Sequence, residues 1–425
     1  MLHHHRRAHA RIAAGLFAGL GTQVGAWAVL VPDLVATRGL TPAALGAVLA
    51  LMAATSIAAL AAAGPLADRF GRRPLAACGA AGFAAAFALL ATVDVPAALW
   101  PTVALYGVAS GFLDLAANAV GSDYERAHDV RAMIRLHAGF SAAAATAALG
   151  AAALAAATDA STAYAVVAAL YIALAAAVTR APLPPHETGA DRESVAADAV
   201  AASGADRESA AAAAGRGLRG IVAARAELLR VPAVAVAVAL CTVCFFGDGA
   251  IEGYSALFLR DVLASGALTT GVALAAFHGA SLAGRLLSAR LVDARGERFV
   301  LTVAGLLASA GMAMTVAAGV PALAAGGLLV VGLALAPVIP TALSLAGRSA
   351  PGRRATAVSL VTTIGYSAFV LGPPLVGALA GLTSLRIALV PVVVSTAAIA
   401  LLARSPGVTY APARSPSRRK VEALT

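Results

Sequence analysis

Along most of this chain polar positions do not alternate with apolar ones; they interrupt long apolar runs, and only for a few residues at a time. A hydrocarbon layer about 30 Å thick is crossed by about 20 apolar residues of helix. The runs predict twelve such helices, at 12–34, 41–63, 74–93, 97–120, 134–157, 161–179, 232–258, 268–290, 299–318, 321–345, 356–379 and 384–403. The expected fold class is therefore an all-α membrane protein with twelve transmembrane helices. The first run follows Arg6, Arg7 and Arg11 like the core of a secretion signal, but it is too long and ends without a convincing small-residue cleavage site. Pro337, Pro340, Pro373 and Pro374 fall inside the tenth and eleventh runs. Each removes a backbone hydrogen bond and predicts a bend, and the carbonyl it frees is tolerable only against protein or a cavity.

The charges order these helices. With the amino terminus placed in the cytoplasm, only Arg38, Arg260 and Arg386 fall in outer loops, and the other 28 of the 31 basic residues fall at the inner side. This is a strong positive-inside bias, and it places both termini in the cytoplasm of a bacterial inner membrane. Between the sixth and seventh helices the material changes: "PLPPHETGADRESVAADAVAASGADRES" is polar and repeats "ADRES" at 190–194 and 205–209. It reads as a flexible cytoplasmic linker, with a short surface helix before Pro232. The expected organisation is a six-helix bundle at 1–180, a linker at 181–231, a second bundle at 232–404 and a cytoplasmic tail at 405–425.

Composition narrows the class further. Of 425 residues, 60% are hydrophobic and 12% charged, and the mean hydropathy is +0.85, far from any ordinary soluble domain. The net charge of +10 then reports topology and attraction to anionic lipid headgroups, not nucleic-acid binding. Cys78, Cys241 and Cys244 all sit in apolar stretches without the further ligands of a zinc site, which predicts buried free thiols. His3, His4 and His5 are read as chance. No metal or cofactor is expected, and no G-x-x-x-x-G-K-[ST] loop is present, so energy would come from a gradient.

The halves repeat. Shifted by 225 residues, "GPLADRFGRR" (64–73) aligns without gaps to "ARLVDARGER" (289–298), so that Asp68 meets Asp293, Gly71 meets Gly296 and Arg73 meets Arg298. The same shift aligns Gly46 with Gly271, and both motifs fall between the second and third helix of their half. The first copy resembles the signature loop of the major facilitator superfamily, and the six-plus-six arrangement extends that resemblance over essentially the whole chain. "GFLDLAANAVGSDYE" (111–125), "GLALAPVIPTALSLAGR" (332–348) and "GYSAFVLGPPLVGAL" (365–379) further resemble a bacterial branch related to fucose permease. The resemblance implies two pseudo-symmetric bundles and a charge cluster of Asp68, Arg69, Gly71, Arg72, Arg73, Asp293 and Gly296 that latches the inner face. It also implies small-solute transport, with proton symport of sugars as the nearest analogy. One departure stands out: where the branch has a cation in the first helix, "GAWAVLVPD" (25–33) keeps Trp27 but carries Leu30, so an interior positive partner is expected to be missing.

Polar residues inside a membrane are costly and face a bundle interior or a water-filled cavity. Asp248 and Glu252, in "CFFGDGAIEGYSALFLR" (244–260), lie one turn apart on one face of the seventh helix, with Asp248 near mid-membrane. Desolvation and mutual repulsion both penalise charging the two at once, which is the property a proton-coupling site needs. Asp114 and Asn118 repeat that spacing on the fourth helix, where an acid and an amide can hold hydroxyls. They are candidates for substrate binding, Asp114 also for proton coupling, unless they anchor the loop through Arg131 or Arg135. His278 is a candidate relay or ligand, His137 a packing residue. Trp27 and Tyr254 offer stacking faces, and Gln23 a polar contact in the same cavity.

Together these predict a monomeric secondary transporter whose partners are a small solute, protons and membrane lipid. With acids and no evident cation, the solute is expected to be neutral or cationic and sugar-like. A proton-driven efflux antiporter is the first alternative, although the fifth helix, "HAGFSAAAATAALGAAAL" (137–154), lacks the antiporters' G-x-x-x-G-P-x-x-G-G pattern. A non-transporting membrane sensor is the second. A membrane enzyme is not expected, because no nucleophile–base pair or metal cluster is legible.

Overall fold

The structure is a computed structural model, described here for residues 2–92, 95–130, 132–185, 225–350 and 353–408. Most of the 181–231 linker, including both "ADRES" copies, the end of the tail, Arg131 and the side chains of His3, His4 and Asp68 lie outside the described residues. Among the described residues, twelve helices are long and apolar enough to cross a membrane. They are α1 (Leu2–Arg38), α2 (Pro42–Phe70), α3 (Arg72–Thr92), α4 (Pro96–His128), α5 (Met133–Ala157), α6 (Ala160–Arg180), α7 (Pro232–Leu257), α8 (Ala267–Arg295), α9 (Glu297–Ala317), α10 in two pieces (Pro321–Leu335 and Val338–Arg348), α11 (Arg354–Leu382) and α12 in two pieces (Leu385–Ala388 and Val390–Leu402). Several helices outrun their apolar runs, α1 by a full ten residues at its start, because His and Arg are acceptable helix formers once the backbone leaves the hydrocarbon. Residues 225–229, just ahead of α7, are helical.

The chain divides into two compact units, Met1–Glu227 and Leu228–Thr425. Within the first, α1 packs on α5, α2 on α4, and α3 on α4 and α6; within the second, α7 packs on α11, α8 on α10, and α9 on α10 and α12. The 225-residue shift relates these pairs almost residue for residue. It carries Pro42–Phe70 onto Ala267–Arg295 and Arg72–Thr92 onto Glu297–Ala317. It also carries the tight turn at Gly71 (φ 84°) onto Gly296 (φ 80°), a region open to glycine and strained for a side chain. Arg73 Nη1 donates to the Thr179 carbonyl at 2.6 Å, and Arg298 Nη2 donates to the Arg404 carbonyl at 2.6 Å. Gly107 lies so close to α2 that a Cβ there would stand 2.1 Å from the Met52 carbonyl oxygen; at Gly332 it would stand 2.3 Å from that of Phe277. Small residues let such helices cross at backbone contact.

The prolines behave unequally. Pro337 coincides with the break in α10, and Pro340 follows in the first turn of its second piece, whereas Pro373 and Pro374 leave α11 uninterrupted. The carbonyl four residues before Pro337 is that of Leu333, and the one before Pro373 is that of Phe369. Each, lacking its helical donor, lies against a glycine of the neighbouring helix: a Cβ on Gly284 would be 2.5 Å from the first, and one on Gly249 2.6 Å from the second. Both freed oxygens are thereby covered by protein.

Candidate functional site

The second unit holds an ionic cluster within its spans. Asp248 lies at the middle of the α7 span and Glu252 one turn on. The neighbouring Gly249 is pressed against α11, which turns the Asp248 side of the helix away from that contact. Both acids stay partly accessible while Cys244, Gly247, Gly249 and Ile251 around them are buried. His278, on α8, is 4% exposed, and Arg285 follows it two turns later on the same helix.

Arg285 is within electrostatic reach of Asp248, Glu252 and His278. The Cys244 thiol sits 4.0 Å from Asp248 Oδ2. The expectation of a missing interior cation is therefore corrected. Arg285, on α8, supplies the positive charge that Leu30 does not. The signal was present as an arginine inside an apolar run, at helical spacing from His278.

The first unit is polar without being ionic at the corresponding depth. Tyr106, which the sequence reading passed over, donates its hydroxyl to Gln23 Oε1 at 2.5 Å and stacks obliquely on Trp27 at 5.0 Å. Trp27 is 5% exposed, and its indole N–H has no acceptor among the described residues. Tyr254, in the second unit, is fully buried. Asn118 Nδ2 donates to Asp114 Oδ1 at 3.0 Å and to the Asp114 carbonyl at 2.9 Å. The two residues line a cleft of about 360 Å³ with Leu60, Gly64, Ala67 and Arg72, so Arg72 is the cation that shares it, while Arg135 is exposed elsewhere on α5. His137 is exposed, with its ring 5.0 Å from Phe17. Cys241 and Cys244 are buried, but Cys78 is exposed, a correction that follows from its place on the outward face of α3.

Of the motif residues, Arg72 is buried and forms an ion pair with Asp123 at 2.6 Å. Arg126 closes on the other Asp123 oxygen. Arg69 lies exposed over the Phe70 ring at 5.1 Å, and Asp293 is exposed. In the second unit Glu297 pairs with Arg348. Asp123, Glu297 and Arg348 were not singled out from the sequence. The 225 shift would have found them, since it carries Arg72 onto Glu297 and Asp123 onto Arg348 with both signs reversed.

Twelve apolar spans in two like halves, with ionic chemistry inside one of them, define a polytopic membrane protein. The family model of the major facilitator superfamily matches residues 12–373 and again 269–424, and the chain belongs to that superfamily, a class of transporters and not of enzymes. It is 27% identical over 380 residues to an uncharacterized MFS-type transporter of Yersinia pestis, covering 88% of this chain and 89% of that one. It is 24% identical over 397 residues to an uncharacterized transporter of Sinorhizobium fredii, covering 92% and 96%. Among solved structures, nucleoside transporter NupG matches with a TM-score of 0.70 at 13% identity over 93% of this chain and 97% of that one. A bacterial homolog of the human lysosomal transporter Spinster, inward-facing and occupied, matches at 0.68 and 16% over 93% and 96%. At these identities the structures show a shared fold.

Proposed function

We propose that this chain is a monomeric, proton-coupled secondary transporter of a small polar solute, working by alternating access in the cytoplasmic membrane with both termini inside. The observation that carries the reading is the cluster of Asp248, Glu252, His278 and Arg285 within the spans of one unit. One guanidinium balances one carboxylate; the second acid is uncharged only when it holds a proton, and an unbalanced charge at that depth is costly. Proton binding and release thus switch the cluster between neutral and anionic. A switch of that kind biases the two states of an alternating-access cycle when the proton interacts differently with each. Gln23, Trp27, Asp114 and Asn118 offer donors and acceptors without a net positive charge, which suits a neutral, hydroxyl-bearing solute. Asp68, Arg69, Arg72, Arg73 and Asp293, with the turns at Gly71 and Gly296, serve as the gate residues of this reading.

The test starts from a thermal-shift screen of sugars and polyols, followed by reconstitution into liposomes with an imposed pH gradient. The solute that stabilises the protein is expected to carry protons with it in the wild type. Asp248→Asn and Glu252→Gln are expected to bind that solute and exchange it without proton movement. Proton movement at the wild-type ratio in both variants would sink the assignment.

A further inference from the structure

The corner where α1 begins and α6 ends is built differently from its counterpart in the second unit. Here a cleft of about 420 Å³ is lined by His5, Arg7, Ala8, Arg11 and Pro182. The 225 shift carries Ala8 onto Ala233 and Pro182 onto Gly407. In the second unit those two residues pack directly together, so that a Cβ on Gly407 would lie 2.6 Å from the Ala233 Cα. Arg7 and Arg11 fall onto Pro232 and Val236. One corner is packed shut; the other is a cleft lined by cations.

Residues 1–32 and 160–180 contain no Asp or Glu, and no acid lines the cleft among the described residues. At the end of α6, Arg73 donates to the carbonyl of Thr179 and Arg180 to that of Ala176. His9 is turned away, toward His128 at 3.1 Å. Arg7 and Arg11 sit one turn apart on a shared face, where like charges repel. An anion between them removes that penalty.

Depth identifies the anion. At 37 residues, α1 is about 55 Å long, longer than the about 40–45 Å of a bilayer with its headgroups. With Arg38 at the outer headgroups, Arg11 and Arg7 lie about 40 and 46 Å back along the helix, which sets them, beside the end of a second span, at the level of the inner lipid phosphates. Guanidinium groups recognise the oxygens of phosphate by paired hydrogen bonds. We infer that this cleft is a phosphate-group site, open to the headgroup of an anionic phospholipid or to a free phosphate that shares its chemistry.

Native mass spectrometry of the full chain in detergent tests this, with phosphatidylglycerol, phosphatidylcholine and inorganic phosphate as probes. The Arg7→Gln/Arg11→Gln variant is compared with Arg225→Gln/Arg230→Gln, which removes the same charge ahead of α7. Ala8→Trp fills the cleft with its charges intact. Retained phosphatidylglycerol that falls about 30-fold in affinity in the first variant, from two lost basic contacts, and falls also in Ala8→Trp, establishes a lipid site. Stabilisation by inorganic phosphate that both variants lose, with no retained lipid, establishes the site with a free anion as its source. Equal loss in the control pair, or wild-type binding in both cleft variants, overturns the proposal.

Discussion

Under the 225-residue shift, Gln23 stands where Asp248 stands in the second half, Trp27 where Glu252 does, Ala53 where His278 does and Leu60 where Arg285 does. Every member of the ionic cluster has an uncharged counterpart. The reverse holds on the fourth helices, where Asp114 and Asn118 correspond to Ile339 and Leu343. Several backbone contacts are kept: Gly107 and Gly332, Gly71 and Gly296, Arg73 and Arg298 make the same contacts in both halves, and where Gly111 meets Ala59 in the first half, Ala336 meets Gly284 in the second. Helix crossings tolerate little change, because a single Cβ would strike a carbonyl. Side chains that face a cavity are free of that restraint, and there the halves have become different in kind.

The widest expected gap between the halves is at the reversed ion pairs. Arg72 and Asp123 are 8% and 1% exposed, while Arg348 is 48% exposed beside Glu297 at 8%. Asp123→Ala strands Arg72 in a buried site, at a cost of about 3–5 kcal/mol. Arg348→Ala removes a half-solvated partner and opens Glu297 to water, so the loss is about 1 kcal/mol. Thermal unfolding in detergent is expected to show the first variant melting well below the second; equal shifts would mean that the two pairs do the same work despite their burial. The double inversion Glu297→Arg/Arg348→Glu restores the sign pattern of the first half and is expected to melt near the wild type.

A smaller effect, equal in the two halves, is expected where the backbones touch. Gly107→Ala and Gly332→Ala each place a methyl group against a carbonyl oxygen, at 2.1 and 2.3 Å, and each is expected to cost about 1–3 kcal/mol as the helices separate. Losses that differ by more than a factor of two would show that one crossing has room the other lacks.

The sequence made the membrane spans legible because a hydrocarbon layer imposes one composition on every helix that crosses it. It exposed the duplication through glycines and charges fixed by a tight turn. Arg285 escaped notice because a charge near a span's end reads as topology, and only the fold brings it within electrostatic reach of acids on another helix. Asp123, Glu297 and Arg348 escaped because each partner lies about fifty residues away along the chain, and a reversed pair does not look like a repeat until opposite signs are accepted as equivalent. The break at Pro337 and the continuity through Pro373 and Pro374 were not separable by pattern, since in both places a glycine on another helix covers the freed carbonyl.

The finest test of the likeness lies at the last turns of α6 and α12. Arg73 donates to a carbonyl in the last turn of α6 and Arg298 to one just past the end of α12, at the same 2.6 Å. A charged donor at a helix C-terminus satisfies an oxygen left without a partner and opposes the helix dipole. Both contacts are largely exposed, so water replaces much of what is lost, and Arg73→Ala and Arg298→Ala are each expected to cost under about 1 kcal/mol. The two share no partner, so the double variant is expected to lose the sum of the singles. A shift in the double variant far from that sum, measured by the same thermal unfolding, would show the two units to be coupled through these ends. An effect in one single variant alone would show that identical geometry does different work in the two halves.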